Sequence, residues 1–158
     1  GELVVRGPNV MKGYYKMPEE TKMVLDEQGY YYTGDLGKLD AQGNLHFVGR
    51  KKEMIIRGGF NIYPQEIEEL LKKHPKISDA AVIGLPDEVL GEVVYAVIRL
   101  KAGMTSTEEE IKSYIGEHMA KYKIPTGGVF SDEFPMTASG KIQKLKLKER
   151  LEREIKNR

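Results

Sequence analysis

The sequence predicts an α+β protein in two parts, a β-rich segment up to about Arg50 and then a small domain with a three-stranded sheet packed by helices. Before Arg50, short runs rich in aromatic and β-branched residues are separated by glycine-containing turns, as in antiparallel strands. After it, stretches with apolar residues at helical spacing alternate with continuous apolar, β-branched runs, which are typical of strands covered by helices.

Length and composition exclude several classes of protein. With 158 residues, the chain can form one ordinary core, or one small domain plus part of a neighbour. Its 40% hydrophobic and 31% charged residues indicate a globular rather than a disordered chain. A net charge of +1 does not indicate nucleic-acid binding, and no apolar run reaches the roughly 20 residues of a membrane helix. The absence of cysteine excludes disulfides, which are typical of secreted proteins, and we therefore expect a cytoplasmic protein. Because the sequence begins without methionine, inside a strand-like run, we also expect a fragment of a longer protein.

The β-rich segment is predicted element by element. Residues 2–6 alternate weakly and stop at a Gly-Pro pair, which predicts a strand that ends at a turn. A short helix is expected after Pro18, and the tyrosines at 30–32 predict a strand that gives way to a turn at Thr33-Gly34-Asp35. Asp40-Ala41-Gln42-Gly43 lies between two apolar-containing runs, so it predicts a hairpin with Gly43 in the left-handed conformation.

The stretch from Gly49 to Glu68 connects the two parts. It reads GRKKEMIIRGGFNIYPQEIE and combines a charged tetrad, a β-branched run, a Gly58-Gly59 pair, a second short strand and a helix that begins at Pro64. This order of elements is typical of a linker between two compact domains, and Lys52 lies at the joint between them. The two glycines suit either a hairpin turn or close approach of a ligand, and the pattern alone favours the turn.

Beyond this hairpin, helices alternate with strands. The acidic start and basic end of the first helix complement the helix dipole, and Thr107 with Glu110 forms a capping box for the second. The expected elements are a helix from Pro64 with Ile67, Leu70 and Leu71 on one face, strands at 77–85 and 93–100, the helix after Thr107, a short strand at Val129-Phe130, and a terminal helix that docks through Leu147, Leu151 and Ile155.

Few side chains indicate chemistry by their pattern alone. Asp35 follows a strand and a glycine, where a carboxylate either caps a turn or accepts hydrogen bonds from two vicinal hydroxyls, and the lone triplet favours the turn. Taken singly, Arg50 and Lys141 are typical of solvated surface cations. The three histidines lack metal-ligand spacing, and no Ser-His-Asp grouping can be proposed, so no metal site is predicted.

Three sequence blocks nevertheless resemble one family, the adenylate-forming enzymes, which include acyl-CoA synthetases, luciferases and peptide-synthetase adenylation domains. Gly49-Arg50-x-Lys52 with its apolar triplet, followed by Gly58-Gly59-Phe60-x-Ile62-x-Pro64 and Glu66-Ile67-Glu68, is similar to that family's hinge and following loop. Tyr31-Tyr32-Thr33-Gly34-Asp35 resembles its aromatic-x-Thr-Gly-Asp block. Pro135-Met136-Thr137-Ala138-Ser139-Gly140-Lys141 resembles its Pro-x-Thr-x-Ser-Gly-Lys block. The blocks occur in the family's order and spacing, and they match the last part of its layout.

The resemblance implies roles for individual residues. Asp35 would hold the ribose hydroxyls of ATP, and Arg50 would contact the nucleotide. Lys141 would be the catalytic cation that reaches the α-phosphate and the carboxylate as negative charge builds between them. Lys52 would be the hinge, and Gly58-Gly59-Phe60 would line a channel for CoA. Family members often carry Arg three places after the catalytic lysine, where this chain has Lys144, and this departure weakens any role for Lys144.

The resemblance also implies a domain organisation and a reaction. Residues 1–50 would be the β-rich C-terminal edge of a large N-terminal domain, 51–53 the hinge, and 54–158 a small mobile C-terminal domain. The chain would be the C-terminal part of an acyl-CoA synthetase, an acid–thiol ligase for long- or medium-chain fatty acids. Such an enzyme adenylates the acid with ATP, passes the acyl group to CoA and releases AMP. The Mg²⁺ ligands and the acyl pocket would lie in the absent N-terminal domain, so the fragment alone is expected to be inactive.

Two alternatives remain open at this point. The first is an adenylation domain that loads a carrier protein in place of CoA, and the second is a non-catalytic interaction module with the same fold. The presence of Asp35, Arg50 and Lys141 together argues against the second. The expected partners are the chain's own N-terminal domain, a carboxylic acid and CoA, with no nucleic acid and no transmembrane segment.

Overall fold

A computed structural model describes residues 1–156 and confirms the α+β class, with four helices and eight strands in that range. The chain divides between Lys52 and Glu53 into two units, and one 3₁₀ turn, Lys51–Glu53, runs across this division. The hinge role of Lys52 stays a prediction. The elements of the first unit are β1 (Glu2–Val5), α1 (Pro18–Val24), β2 (Tyr31–Leu39) and β3 (Leu45–Arg50).

The first unit contains an antiparallel sheet in the order β1-β2-β3. The expected turn at Thr33-Gly34-Asp35 is wrong, because β2 continues through these residues to Leu39. Between the pairs Glu2–Leu36 and Val4–Tyr32, three residues of β2 lie opposite one residue of β1, so the triplet forms a bulge. Gly34 takes up this irregularity with a φ of +72°.

The hairpin between β2 and β3 has the predicted turn. Asp40 Oδ1 accepts hydrogen bonds from the backbone N–H groups of Gln42 and Asn44 at 2.9 and 2.8 Å, and Gly43 has a φ of +82°. His46 Nε2 lies 2.8 Å from Asp40 Oδ2. Hydrogen bonding by His46, followed by that of Asn44, lowers the pKa of Asp40 to about 2. The turn sets the β2–β3 register as far as the pair Gly37–Phe47, and an irregularity between Leu36 and Gly37 then shifts the register by one residue, so that Asp35 pairs with Arg50.

The second unit contains five strands in one sheet instead of the three expected. The elements are β4 (Ile55–Arg57), β5 (Phe60–Ile62), α2 (Pro64–Lys72), β6 (Ile77–Asp87), β7 (Gly91–Leu100), α3 (Glu108–His118), a 3₁₀ turn (Lys121–Lys123), β8 (Gly127–Phe130) and α4 (Lys144–Lys156). The predicted strands β6, β7 and β8 are present, and the hairpin of β4 and β5 joins them through the pair Arg57–Gly91. Strand β7 pairs antiparallel with β6 and β4 and parallel with β8.

This sheet is apolar on both faces. Consecutive residues of β6 alternate between two separate buried clusters, because successive side chains of a strand point to opposite sides. Helices α2 and α3 cover one face with Ile67, Leu70, Leu71, Ile111 and Ile115, packed on Ala80, Val82, Val94, Ala96 and Ile98. Helix α4 covers the other face with Leu147 and Leu151, packed on Ala81, Ile83, Leu85, Val93 and Val97.

The helix ends follow the sequence signals. Pro64 is the first residue of α2, and Thr107 caps α3 by accepting a hydrogen bond from the N–H of Glu110 at 3.2 Å. The terminal helix docks through two of its three predicted contacts, because Leu147 and Leu151 are buried whereas Ile155 is 41% exposed. Within residues 1–156, no helix combines the length and apolar character that a membrane span requires.

We predict that Leu147→Ala destabilises the 158-residue chain by about 2–5 kcal/mol, because it leaves a cavity between α4 and the sheet. The matched control is Leu145→Ala on the same helix, since Leu145 is 71% exposed and Leu147 only 1%. The control change should cost less than about 0.5 kcal/mol. Denaturant unfolding of both variants measures the difference, and equal destabilisation would contradict the assigned packing of α4.

Candidate functional site

Asp35 and Arg50 face each other on neighbouring strands of the first unit. Arg50 Nε lies 3.2 Å from Asp35 Oδ1, which is close enough for an ion pair. The orientation does not make a hydrogen bond, however, and Oδ1 is buried without a hydrogen-bond partner among the described residues. The Asp35 side chain as a whole is 31% exposed, however, so its carboxylate can also accept a hydrogen bond from a hydroxyl group of a ligand.

The bulge that carries Asp35 is held by its own hydrogen bonds. The Asp35 N–H donates to Thr33 Oγ1 at 3.1 Å, and the Thr33 hydroxyl donates to the carbonyl oxygen of Leu3 at 2.8 Å. The threonine of the block therefore connects β1 to the backbone of Asp35. As a result, the position of the carboxylate is set by strand pairing as well as by the hydrogen bonds within the bulge.

Glu2 supports the same bulge, and sequence reasoning missed it. One carboxylate oxygen accepts from the Gly34 N–H at 3.2 Å, and the other accepts from Lys51 Nζ at 2.7 Å. The hydrogen bond with Lys51 is the main reason why the pKa of Glu2 is lowered. No sequence signal could have identified Glu2, because its two partners are distant in the chain.

Tyr31, the aromatic residue of the Thr-Gly-Asp block, also lies close to this pair. The pKa of its hydroxyl is raised, first by the neighbouring Tyr14 and further by burial and by the negative charge of Asp35. The block pointed to Tyr31, whereas Tyr14 lies in a polar stretch without any distinguishing pattern.

Lys141 lies on a loop of the second unit whose backbone is closed by hydrogen bonds. The Thr137 N–H donates to the carbonyl oxygen of Lys141 at 2.7 Å, and the Lys141 N–H donates to Thr137 Oγ1 at 3.0 Å. The Gly140 N–H donates to the carbonyl oxygen of Thr137 at 3.0 Å. The Lys141 side chain is exposed. A fixed backbone thus presents a long cationic arm to the solvent.

Gly58 and Gly59 form the turn between β4 and β5, which confirms the predicted hairpin. Their φ values of +55° and +84° match a two-residue turn in which both central residues are left-handed. A Cβ atom added at Gly59 would meet nothing within 4 Å, so the outer side of the turn is open. Next to it, Phe60 stacks on Tyr122 with ring centroids 4.6 Å apart. Arg57 braces the hairpin by donating to the carbonyl oxygens of Tyr122 and Ile124 at 2.9 and 3.0 Å.

The structure groups the expected site residues in three places. Asp35 and Arg50 pair in the first unit. In the second unit, the Lys141 loop leads into α4 on one face of the sheet, whereas Phe60 contacts Tyr122, which packs against the core of the other face. No group of three or more His, Asp or Glu side chains within residues 1–156 is arranged to hold a metal ion.

Lys144 makes contacts that the sequence did not indicate, because its side chain lies between two carboxylates. Its ammonium group lies 2.7 Å from Glu53 Oε2 and 2.8 Å from Glu68 Oε1. Burial lowers the pKa of Lys144, but the carboxylates of Glu68 and Glu53 outweigh it, so that the net shift is upward. Lys144 is thus a charged, largely buried side chain directly after the Lys141 loop.

Comparisons with known proteins agree with these features. Residues 66–141 match the family of AMP-binding enzyme C-terminal domains. The chain is 47% identical over 156 residues to a mitochondrial medium-chain acyl-CoA ligase, ACSF2, of Rattus norvegicus, covering 99% of this chain and 25% of that protein. It is 49% identical over 150 residues to a putative acyl-CoA synthetase, YngI, of Bacillus subtilis, covering 95% and 27%. The chain therefore spans about a quarter of the length of these relatives.

A solved structure shows the same architecture. The o-succinylbenzoate CoA synthetase MenE of Bacillus subtilis, in complex with its acyl-adenylate intermediate, matches with a TM-score of 0.87 and 39% identity, covering 94% of this chain and 30% of that one. The matched family, the relatives and this fold agree with the three sequence blocks. Residues 66–141 therefore form a C-terminal domain of the AMP-binding enzyme family, and nearly the whole chain is similar to the corresponding part of acyl-CoA ligases.

Proposed function

We propose that this chain is the C-terminal part of an acyl-CoA synthetase for medium- or long-chain fatty acids. In the first step, a carboxylate oxygen of the acid attacks the α-phosphorus of ATP and pyrophosphate leaves. In the second step, the sulfur of CoA attacks the acyl carbonyl carbon and AMP leaves. The observation that carries this proposal is the partly exposed pair of Asp35 and Arg50, 3.2 Å apart, in a chain whose residues 66–141 match the C-terminal domain of AMP-binding enzymes.

Asp35 and Arg50 would bind the nucleotide. The carboxylate of Asp35, whose side chain is 31% exposed, would accept hydrogen bonds from ribose hydroxyls. Arg50 is permanently charged and would contact ribose and phosphate oxygens. Mg²⁺ would accompany ATP, and its ligands would come from a large N-terminal domain outside this chain.

Lys141 and the glycine turn would serve different steps. Lys141 would stabilise negative charge on the α-phosphate and the carboxylate while the adenylate forms. Gly58, Gly59 and Phe60 would line the passage for the pantetheine arm of CoA, since the turn has no side chain on its open side. The attachment of these two elements to opposite faces of one sheet supports a rotation of the small domain between the two steps, and Lys52 would be the pivot.

The proposal also covers the activity of the chain alone, the acceptor of the acyl group and the location of the protein. The 158-residue chain alone should release no pyrophosphate, because the acyl pocket would lie in the N-terminal domain. A carrier protein as the acceptor is the main rival to CoA, and a non-catalytic interaction module is the other. The cytoplasmic location stays a prediction, since one relative is named as mitochondrial and the other is bacterial.

We predict that Lys141→Ala in the full-length enzyme slows adenylate formation by about 10²–10³-fold, the usual effect of removing one donor of transition-state charge stabilisation. Thioester formation from supplied acyl-adenylate should stay within about threefold of wild type, because the negative charge that Lys141 would stabilise builds up only while the adenylate forms. Pyrophosphate release and acyl-CoA formation are measured separately, with the exposed Lys101→Ala as control. Equal loss in both half-reactions would contradict the role given to Lys141.

We predict the opposite pattern for Gly59→Leu, because a leucine side chain on the open side of the turn would fill the CoA passage. Pyrophosphate release should persist, while thioester formation falls by at least about tenfold. Gly43→Leu is the matched control, since Gly43 has nearly the same φ (+82° against +84°) and equally open space around its Cβ position. If Gly43→Leu slows thioester formation as much, backbone strain is responsible and the proposed channel is wrong. Normal acyl-CoA formation by Gly59→Leu would refute the channel directly. The acceptor is tested with the wild-type enzyme: transfer of the acyl group to a carrier protein but not to CoA would favour the rival acceptor.

A further inference from the structure

We propose that Lys144 is a positioning residue, whose ammonium group ties the start of α4 to Glu53 so that the Lys141 loop follows the orientation of the joint. This inference rests on the proposed function and extends it to a residue for which sequence reasoning expected little. Lys144 would touch no substrate. It would act through Lys141, by determining where the loop that carries this lysine is held.

The cation joins three elements of the second unit. Lys144 Nζ contacts Glu53 Oε2 at 2.7 Å at the start of this unit, and Glu68 Oε1 of α2 at 2.8 Å. The same oxygen of Glu68 accepts from the backbone N–H of Val82 on β6 at 2.7 Å. The first turn of α4 is therefore fixed to the beginning of the unit, to a helix and to the central sheet.

The position of this lysine is electrostatically unfavourable unless it is paired. Lys144 is the first residue of α4, and a helix N-terminus carries a partial positive charge that disfavours a cation. Its side chain is also only 22% exposed, so that most of the hydration of an ammonium ion is lost. Two carboxylates offset these costs. Ion pairs of this kind add little net stability compared with apolar packing, but they fix geometry, and this favours a positioning role.

The loop transmits that position to Lys141. The Gln143 N–H donates to the carbonyl oxygen of Pro135 at 2.7 Å, and this bond closes the loop at its base. Inside the loop, Lys141 and Thr137 exchange two further hydrogen bonds. Lys144 follows immediately after this closed loop. Because the loop is internally fixed, its placement depends on where α4 begins.

The other end of the contact is the joint. Glu53 is the first residue of the second unit and follows directly after Lys52. If the small domain turns at Lys52, the contact between Glu53 and Lys144 makes the Lys141 loop turn together with the backbone at the joint. Without it, the loop would still be held by α4 and by the packing of Phe134 and Ile142, but it would no longer be tied to the joint. The ammonium group of Lys141 would then reach its target less often in the right geometry.

The first test uses the 158-residue chain. In Lys144→Met, amide hydrogen exchange of Thr137, Lys141 and Gln143 should speed up by at least about tenfold, while the core amides of β6 and β7 keep their protection. The control is Lys146→Met, because Lys146 is exposed in the same turn of α4. Unchanged exchange in the loop would overturn the proposal, as would loss of protection in the core and the loop together, since that result is general destabilisation.

The second test uses the full-length enzyme and the separate half-reactions. Lys144→Met and Glu53→Gln should each slow adenylate formation by about 10–100-fold, the size of effect expected from a small misplacement of a reacting group. Thioester formation from supplied acyl-adenylate should stay within about threefold. Lys144→Arg should keep adenylation within about threefold of wild type, because arginine retains the positive charge. The double variant should be no slower than the slower single variant, because both changes break one contact.

Other outcomes would overturn the inference. Adenylation by Lys144→Met at the rate of Lys146→Met would show that the contact is dispensable, and additive losses in the double variant would show that Glu53 and Lys144 act separately. Equal loss in both half-reactions would indicate a purely structural residue. If the wild-type enzyme forms no acyl-adenylate, the proposed function fails, and the exchange experiment still decides whether Lys144 holds the loop.

Discussion

The second unit depends on one constraint, which is that the β6–β7 pair is apolar on both faces. Residues 80–85 of β6 are all buried, so neither side of the sheet can be left to solvent. Two layers of helix are therefore required. Helices α2 and α3 supply one layer and α4 supplies the other, which explains why a domain of this size continues to a third helix after its last strand.

This constraint also separates the candidate functional elements. The loop with Lys141 leads into α4, so it belongs to the layer on one face. The Gly58-Gly59 turn is braced by Arg57 and by the stack of Phe60 on Tyr122, and Tyr122 packs against the core of the other face. A sheet buried on both sides thus carries a cation on one layer and a bare backbone turn on the other. For our proposal, this arrangement supports the use of one domain in two successive steps.

The order and type of most elements could be predicted from the sequence, because they depend on local signals. Pro64 and Thr107 mark helix starts by backbone chemistry, and the Gly58-Gly59 pair marks a hairpin by its allowed φ values. The bulge at Thr33–Asp35 could not be predicted, because it arises from pairing with β1, which is distant in the sequence. The five-stranded sheet escaped prediction for a similar reason, since the hairpin joins it through the pair of Arg57 with Gly91.

The candidate site was predictable to the extent that its residues lie in recognisable blocks. Asp35, Arg50 and Lys141 stand in such blocks, whereas the contacts that hold them come from distant parts of the chain. Lys144 and Glu53 are 91 residues apart in sequence, and neither is unusual there. A lysine is common on a terminal helix, and only the surrounding structure shows that this one is buried between two carboxylates.

In the proposed mechanism, the small domain turns at Lys52 between the two half-reactions. Lys52→Pro in the full-length enzyme tests this rotation, because proline fixes φ at the joint and disfavours the helical conformation of Lys51 seen in the 3₁₀ turn. Lys52→Ala serves as the control that keeps both dihedral angles free. We expect Lys52→Pro to slow one half-reaction by about 100-fold and to leave the other within about threefold of wild type. Equal loss in both half-reactions, or loss in neither, would contradict this rotation.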